Sequence, residues 1–357
     1  MNNMYLIPFA SCPLVEGYSR SLLLDLDHHE YFIIDKRSSD IYKKISNKHA
    51  DLIATYYLEQ DEIYVKSFIE FLIEKDLMFW GSHNDTEAFC KIDLSYQSPC
   101  TIDNAILDFD EMSEYKIHRL IKELDFLNCK NIQIRFFYNP PVYKVKELLM
   151  EINTTCINNI EFIIPYSIEM DEYILHQVKE NNRIDKVWFY GYSQNNYREI
   201  VPSKKVIYLS EIVASENCCG IVSEEYFTMT LSFYTESINY NTCLHKKISI
   251  DKRGNIRNCP SSATKYGHVA FNSIISVANL EEFQKVGLIK KEKISVCKDC
   301  EFRHICSDCR AYLDAPGDLL SKPLKCGYDP YTNKWEDWSQ DVTKQNAYKF
   351  YNSQSNV

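Results

Sequence analysis

The stretch that decides the fold of the C-terminal third is Cys297-Lys-Asp-Cys300-Glu-Phe-Arg-His-Ile-Cys306-Ser-Asp-Cys309-Arg-Ala-Tyr312. Its two C-x-x-C pairs lie only five residues apart, an arrangement that chance rarely produces. A C-x-x-C turn points both sulfurs to the same side, where backbone N–H groups can hydrogen-bond the thiolates. The stretch therefore predicts a thiolate metal site.

Three further cysteines complete a spacing pattern around this stretch. Cys243 is followed by ten residues, Gly254, four residues and Cys259, and Cys326 lies downstream. The segment 248–257, with Gly254 at its turn, predicts a β-hairpin that brings Cys243 and Cys259 together. Seven thiols are too many for one tetrahedral ion and nearly enough for two clusters.

The seven remaining cysteines of the fourteen carry less information about a metal. Cysteine is a common core residue, so an isolated one is expected to be buried and structural. That is the prediction for Cys12, Cys90, Cys100, Cys129 and Cys156. For the adjacent Cys218 and Cys219, the core role and the ligand role stay equally open.

Zinc is the alternative to iron and sulfide. Zinc ribbons usually separate their C-x-x-C pairs by about 15–20 residues. Here only Glu301 to Ile305 lie between the pairs, which is too short for the usual hairpin. The spacing favours iron–sulfur, with a zinc-binding interaction protein as the alternative.

Composition excludes several function classes. The net charge of −10 argues against binding to nucleic acid or to an anionic membrane, because both need a basic face. No run of about 18 apolar residues predicts a membrane span, and the first residues lack a basic targeting region. We therefore expect a cytoplasmic protein, and in that compartment clustered cysteines usually indicate metal or redox chemistry.

The first 81 residues predict a small domain of strands and helices. Strand-like runs begin at Ser21 and Glu30, and a helix follows for which Ser38 to Asp40 offer caps. A closing strand is expected from Leu77 to Trp80. This order predicts a winged-helix-like module.

The middle and C-terminal regions complete an α/β chain. From residue 100 to 225, strands and amphipathic helices alternate every 25–30 residues or so, as in a parallel sheet or partial (β/α) barrel. Residues 235–335 form the cysteine-rich domain. The polar tail after Tyr331 is expected to be partly ordered at best.

The complete cysteine spacing resembles the SPASM motif, which follows the radical SAM domain in many peptide-modifying enzymes. The family usually has three residues between its last paired cysteines, whereas here only Ser307 and Asp308 intervene. The resemblance implies one [4Fe–4S] cluster, with a second as the weaker expectation. The implied ligands are Cys297, Cys300, Cys306 and Cys326 for the first cluster, and Cys243, Cys259 and Cys309 for the second. The fourth ligand of the second is open, with His245 and His268 as candidates.

The motif that binds S-adenosylmethionine is missing. A radical SAM enzyme needs C-x3-C-x2-C after its first barrel strand, but residues 108–115 read Asp-Phe-Asp-Glu-Met-Ser-Glu-Tyr. No glycine lies between Gly81 and Gly191, which excludes the usual glycine-rich cofactor loops. We therefore expect no S-adenosylmethionine chemistry and interpret the middle domain as a degenerate radical-SAM-like barrel.

A degenerate barrel followed by these cysteines resembles, over most of the chain, the SPASM-domain peptide maturase of the grasp-with-spasm systems. The resemblance implies a role in maturing a ribosomally synthesised, post-translationally modified peptide. It also implies two partners, a precursor peptide and an ATP-grasp ligase, and makes residues 1–81 a peptide-recognition module. The alternatives are an iron–sulfur redox or Lewis-acid enzyme acting on a peptide, and the zinc-binding interaction protein. The sequence leaves open whether the chain is an enzyme by itself.

Overall fold

The N-terminal module contains two antiparallel sheets, of order β5–β1–β6 and β2–β3–β4, and three main helices. The computed structural model of the protein describes residues 4–59, 61–89, 91–201 and 204–354. The elements of this module are β1 (Tyr5–Pro8), β2 (Leu14–Glu16), β3 (Arg20–Asp25), β4 (Glu30–Asp35), α1 (Lys36–Ile45), β5 (Lys48–His49), α2 (Ala50–Glu59), α3 (Glu62–Glu74), β6 (Met78–Gly81) and the short α4 (His83–Ala88). The predicted strands near Ser21, Glu30 and Leu77 are confirmed.

Helix α1 begins earlier than the sequence predicts. Asp35 is its N-cap, and the Asp35 Oδ1 atom accepts a hydrogen bond from the Ser38 backbone N–H at 2.7 Å. The predicted caps from Ser38 to Asp40 are therefore wrong, and Ser38 and Ser39 are buried inside the helix. Aspartate caps a helix as well as serine does, so the carboxylate at the end of β4 starts the helix first.

A nine-stranded sheet forms the centre of the molecule, in the order β11–β12–β10–β9–β8–β7–β13–β14–β15. The neighbouring strands from β12 to β13 are all parallel. The elements of its first part are β7 (Asn104–Phe109), α5 (Ile117–Phe126), β8 (Asn131–Phe136), α6 (Val142–Ile152), β9 (Asn159–Pro165), α7 (Ile168–Glu180), β10 (Ile184–Tyr190), β11 (Asn196–Val201) and β12 (Lys204–Leu209). The predicted α/β class is confirmed.

The two faces of this sheet differ in polarity. One face packs Leu107, Ile134 and Phe162 into the same core as the apolar residues of α5, α6 and α7. Right-handed crossovers place all three helices on that face. The other face carries polar side chains at the strand starts, including Asn104 and Asn131. This polar face is the wall of the cavity described below.

The cysteine-rich region extends the same sheet. Its elements are α8 (Leu231–Asn239), β13 (Lys247–Ile250), β14 (Asn255–Arg257), β15 (Gly267–His268), α9 (Ile274–Ala278), α10 (Glu281–Lys285), β16 (Tyr328–Asp329), β17 (Lys334–Trp335) and α11 (Gln345–Gln354). The predicted hairpin is confirmed as β13 and β14, which pair antiparallel. Gly254 has φ +81° at its turn, as the hairpin prediction requires. Strand β13 pairs in parallel with β7, so the hairpin continues the central sheet.

The tail after Tyr331 is better ordered than its polar sequence predicts. The Lys344 ammonium donates to the backbone carbonyls of Leu324 and Cys326, at 2.9 and 2.8 Å. Ala347 on α11 is 3% exposed. The expectation of a tail that is partly ordered at best is therefore wrong for residues 332–354, because Lys344 and the buried Ala347 anchor them.

The N-terminal module docks directly on the cysteine-rich loop. Arg20 of β3 binds the buried Glu301 carboxylate at 2.5 Å, and the Tyr18 backbone N–H donates to the Asp299 carbonyl at 2.7 Å. Gly17 lies so close that a Cβ there would meet the Glu301 backbone nitrogen at 2.8 Å.

Among the described residues, no helix has the length and apolar character needed to cross a membrane.

Candidate metal centres

Four thiols from three separate segments line one cavity of about 480 Å³. We call Cys219, Cys243, Cys259 and Cys309 the cavity quartet. The β13–β14 hairpin carries Cys243 before its first strand and Cys259 after its second. Hydrogen bonding with Cys219 and burial raise the pKa of Cys259 well above its usual range, and a negative charge on Cys243 raises it further. The predicted approach of the two hairpin cysteines is confirmed.

Cys219 is the member that the sequence left undecided. Its sulfur lies within hydrogen-bonding reach of Cys259, and this contact, helped by the Ser261 hydroxyl at 3.5 Å, lowers the pKa of Cys219 well below its usual range. Burial, together with Cys243 and Cys219, raises the pKa of Cys309 to about 12. Gly220 makes the approach possible, because a Cβ on it would meet the Cys309 Sγ atom at 3.0 Å. One signal in the sequence could have identified Cys219. The predicted cysteine ligands numbered seven, one fewer than two sets of four require.

The other four predicted ligands also lie together. We call Cys297, Cys300, Cys306 and Cys326 the loop quartet. Burial raises the pKa of the first three thiols, and a charge on Cys326 raises that of Cys297 and Cys306 further. The tight C-x-x-C turn is closed by the Cys300 backbone N–H, which donates to the Cys297 carbonyl at 3.1 Å. Four of the seven predicted cysteines thus form the loop quartet. The other three form the cavity quartet together with Cys219.

The spacing within each quartet bears on which metal would fit. In the part of the chain that the structure describes, no three or more His, Cys, Asp or Glu side chains are gathered tightly enough for one metal ion. Thiolates on one tetrahedral zinc ion lie about 3.8 Å apart, given Zn–S bonds of about 2.3 Å. A four-iron cluster is wider than one ion and takes four cysteine thiolates. The choice of a four-iron cluster over zinc therefore rests on the spacing of the cysteines in the sequence.

A lysine accompanies each quartet. The Lys247 ammonium lies 3.8 Å from the Cys243 sulfur and lines the same cavity. Burial lowers the pKa of Lys247, but the nearby Cys243, Cys259 and Cys219 raise it, with a net upward shift. Lys291 is 4% exposed and donates to the Cys306 carbonyl. Cations beside anionic thiolates are what an iron–sulfur or thiolate metal site requires.

The opposite wall of the cavity is the polar face of the central sheet. Gln133 of β8 and Trp188 of β10 both donate to the Glu161 carboxylate on β9, at 2.7 Å each. The Asn159 amide donates to the Asn131 side-chain oxygen at 3.2 Å on the same strands. These cross-strand pairs hold polar groups in fixed positions opposite the thiols.

A buried ion pair spans the same face. Arg135 donates two hydrogen bonds of 2.7 Å to the two Asp108 oxygens, and the side chains are 3% and 1% exposed. Burial raises the pKa of Asp108, and Arg135 opposes that shift. Sequence patterns alone do not locate this pair, because each residue appears simply as a charge within a strand.

The loop that follows β7 has its own internal contacts. The Asp110 carboxylate accepts from the Met112 backbone N–H at 2.9 Å, and Ser113 donates to the Lys252 carbonyl at 2.7 Å. The Tyr115 hydroxyl donates to the Asp108 carbonyl. A radical SAM enzyme would carry its C-x3-C-x2-C motif in this loop. The loop contains no cysteine.

The two histidine candidates bind other groups. The His245 ring is 2.9 Å from the Glu236 carboxylate and stacks on Tyr240 at 3.7 Å between centroids. His268 is 2.8 Å from the Arg253 carbonyl. Neither lines the cavity, where Cys219 lies instead.

The cysteines predicted as core residues are mostly where expected. Cys12, Cys100 and Cys129 are buried, and Cys156 is partly buried. Burial and nearby carboxylates raise the pKa of Cys12 to about 12. Cys90 lies outside the described residues.

Comparison with solved structures finds weak structural similarity to Streptococcus suis SuiB. A crystal structure of Streptococcus suis SuiB bound to S-adenosylmethionine matches with 11% identity and a TM-score of 0.37, over 89% of this chain and 98% of that chain. SuiB bound to the precursor peptide SuiA matches over the same shares, with 11% identity and a TM-score of 0.34. No protein-family model and no curated protein sequence matches the chain. These similarities do not assign the chain to a family.

Proposed function

We propose that this protein is a two-cluster iron–sulfur maturation factor for a ribosomally synthesised peptide. In this proposal it binds the precursor peptide and acts with an ATP-grasp ligase. The chain combines a winged-helix-like recognition module, a degenerate partial barrel and a SPASM-type domain. The observation that carries the proposal is the grouping of eight cysteines into the cavity quartet and the loop quartet, with the cavity quartet facing the polar wall of the central sheet.

The residues have distinct parts in this proposal. The two quartets would hold [4Fe–4S] clusters, which supply one-electron redox capacity when bound. Lys247 and Lys291 offset thiolate charge. Gln133 and Glu161 present polar groups to a chain segment in the cavity, and Trp188 holds Glu161 in place. Arg20 and Glu301 fasten the recognition module to the loop quartet.

The Lewis-acid alternative is less well supported than a redox or structural role. A Lewis-acid cluster needs one iron without a protein ligand. Three thiols, Cys243, Cys259 and Cys309, would leave that position open, but Cys219 supplies a fourth sulfur in the same cavity. The arrangement therefore favours clusters that are fully held by cysteine.

The free edge of β4 supports the peptide-binding part of the proposal. Among the described residues β4 pairs only with β3, so its outer edge has no strand partner. Helix α3 borders the edge: the Phe32 and Phe71 rings lie 5.7 Å apart, and the Tyr64 hydroxyl donates to Asp35 at 2.9 Å. Ile33 is 45% exposed there. An extended peptide can add to such an edge by main-chain hydrogen bonds and place side chains in the adjoining groove.

Changing Ile33 should weaken peptide binding. The probe is a fluorescein-labelled synthetic leader of the short peptide that the family resemblance implies is encoded beside this chain. We expect Ile33→Glu to reduce its affinity by about tenfold, or 1.4 kcal/mol, in fluorescence anisotropy, because a charge would replace an exposed apolar side chain at the β4 edge. Leu52→Glu, at an apolar and more exposed position on α2, is the control and should bind normally. Equal affinities for the wild type and both variants would contradict the β4 assignment.

S-adenosylmethionine should not be cleaved reductively. Residues 110–116 contain no cysteine, and Cys219 completes the set that could otherwise have left an iron open. Reconstituted protein incubated with dithionite and S-adenosylmethionine should form no more 5′-deoxyadenosine than a control without protein. Product above that control, lost in the Cys309→Ala variant, would place the chemistry at the cavity quartet and contradict this proposal.

A further inference from the structure

The surroundings of the two quartets carry different amounts of uncompensated positive charge. Beside the cavity quartet, the Lys247 ammonium lies 3.8 Å from a ligand sulfur. The Lys325 ammonium donates to the Asn217 and Cys219 carbonyls, at 2.5 and 2.8 Å. In the part of the chain that is described, neither lysine forms an ion pair with a carboxylate. The Arg135 charge in the same region is balanced by Asp108.

Beside the loop quartet the balance is closer to neutral. Lys291 is buried and donates to the Cys306 backbone carbonyl, and its charge also lowers the pKa of the Cys306 thiol against the upward effect of burial. Two carboxylates lie near these thiols, and each has a cationic partner. Glu301 pairs with Arg20 at 2.5 Å, and Asp308 pairs with Arg310 at 2.6 Å. Lys291 therefore supplies the remaining positive charge.

The space around the two quartets also differs, although both sets contain buried and partly buried thiols. The cavity quartet lines an open space of about 480 Å³. In the loop quartet, Cys300, Cys306 and Cys326 pack in an apolar cluster with Leu22 and Phe302. Reduction adds negative charge to a cluster, so nearby cations and water favour it, while an apolar shell opposes it.

We propose that Lys247 and Lys325 make the cluster of the cavity quartet the one with the higher reduction potential. This inference rests on the proposed function, since it requires both clusters. The lysines are not ligands. They act through the positive charge that they place beside the thiolates, which favours the reduced cluster. The more easily reduced cluster is then the one that faces the polar wall of the cavity.

The test is a potentiometric titration of reconstituted full-length protein, followed by electron paramagnetic resonance. In wild type we expect two midpoint potentials. Lys247→Met should make reduction of the higher-potential cluster about tenfold less favourable, about 59 mV for one electron, and leave the other unchanged. Lys291→Met should lower only the lower-potential signal. Lys298→Met removes an exposed lysine from the loop and is the matched control, in which neither signal should move.

The outcomes separate this inference from the proposed function. If Lys247→Met with full iron content shifts the lower-potential signal, or shifts neither, the inference is wrong. If that variant loses iron, Lys325→Met decides: a fall in the higher potential supports the inference and an unchanged potential overturns it. Lys247→Arg should keep both the iron and the wild-type potential. Wild-type protein that takes up no iron would instead contradict the proposed function.

Discussion

Anaerobically reconstituted protein is expected to hold about eight iron atoms with similar acid-labile sulfide, and the Cys219→Ser variant about half as much. The reason is that Cys219 lies in the cavity with Cys243, Cys259 and Cys309, close to the Cys259 thiol. Removing its thiolate leaves three ligands and an exposed iron, while the loop quartet is untouched. Iron and sulfide assays, with the visible absorption of the thiolate–iron bonds, measure the loss.

Cys218 provides a closely matched control. It is the adjacent residue, but its side chain is exposed and its thiol donates to the Ser215 carbonyl at 3.2 Å. Cys218→Ser should therefore retain the full iron content. The reverse result, with iron lost in Cys218→Ser and kept in Cys219→Ser, would show that the wrong neighbour has been assigned. Stoichiometric zinc and no iron in the wild type would favour the zinc alternative.

Breaking the buried ion pair should destabilise the protein strongly. Arg135→Met leaves the Asp108 carboxylate buried without its two hydrogen bonds, and losing one partner of such a pair costs about 3–5 kcal/mol. Burial already raises the pKa of Asp108, so without Arg135 this carboxyl group must take up a proton or draw in water. Urea unfolding should show a correspondingly lower free energy of unfolding.

The double variant Asp108→Leu, Arg135→Met tests the cause. Replacing a whole buried pair by apolar residues is often neutral or stabilising, so we expect most of the loss to be recovered. Lys66→Met, which removes an exposed partner of Glu62 on α3, should have little effect. A single Arg135→Met variant as stable as the wild type would show that the central sheet does not depend on this pair.

Several elements could be predicted because their causes are local. The helix α5 follows from the spacing of Leu120, Ile121 and Leu124, all of which are buried. The turn of the β13–β14 hairpin follows from Gly254. In both cases a residue constrains neighbours within a few positions, and that information is present in the sequence. The start of α1 was missed because two nearby residue sets could cap it equally well, and only the end of β4 selects Asp35.

The sequence by itself singled out the seven cysteines through their spacing, and the resemblance to the SPASM motif implied their division into two groups. It also determined that the loop after β7 lacks thiolates. Only the tertiary structure decided that Cys219 joins Cys259, that Arg135 meets Asp108, and that a polar sheet face lies opposite the thiols. The physical reason is distance along the chain: these contacts join segments separated by tens of residues, and the order of strands in the sheet brings them together.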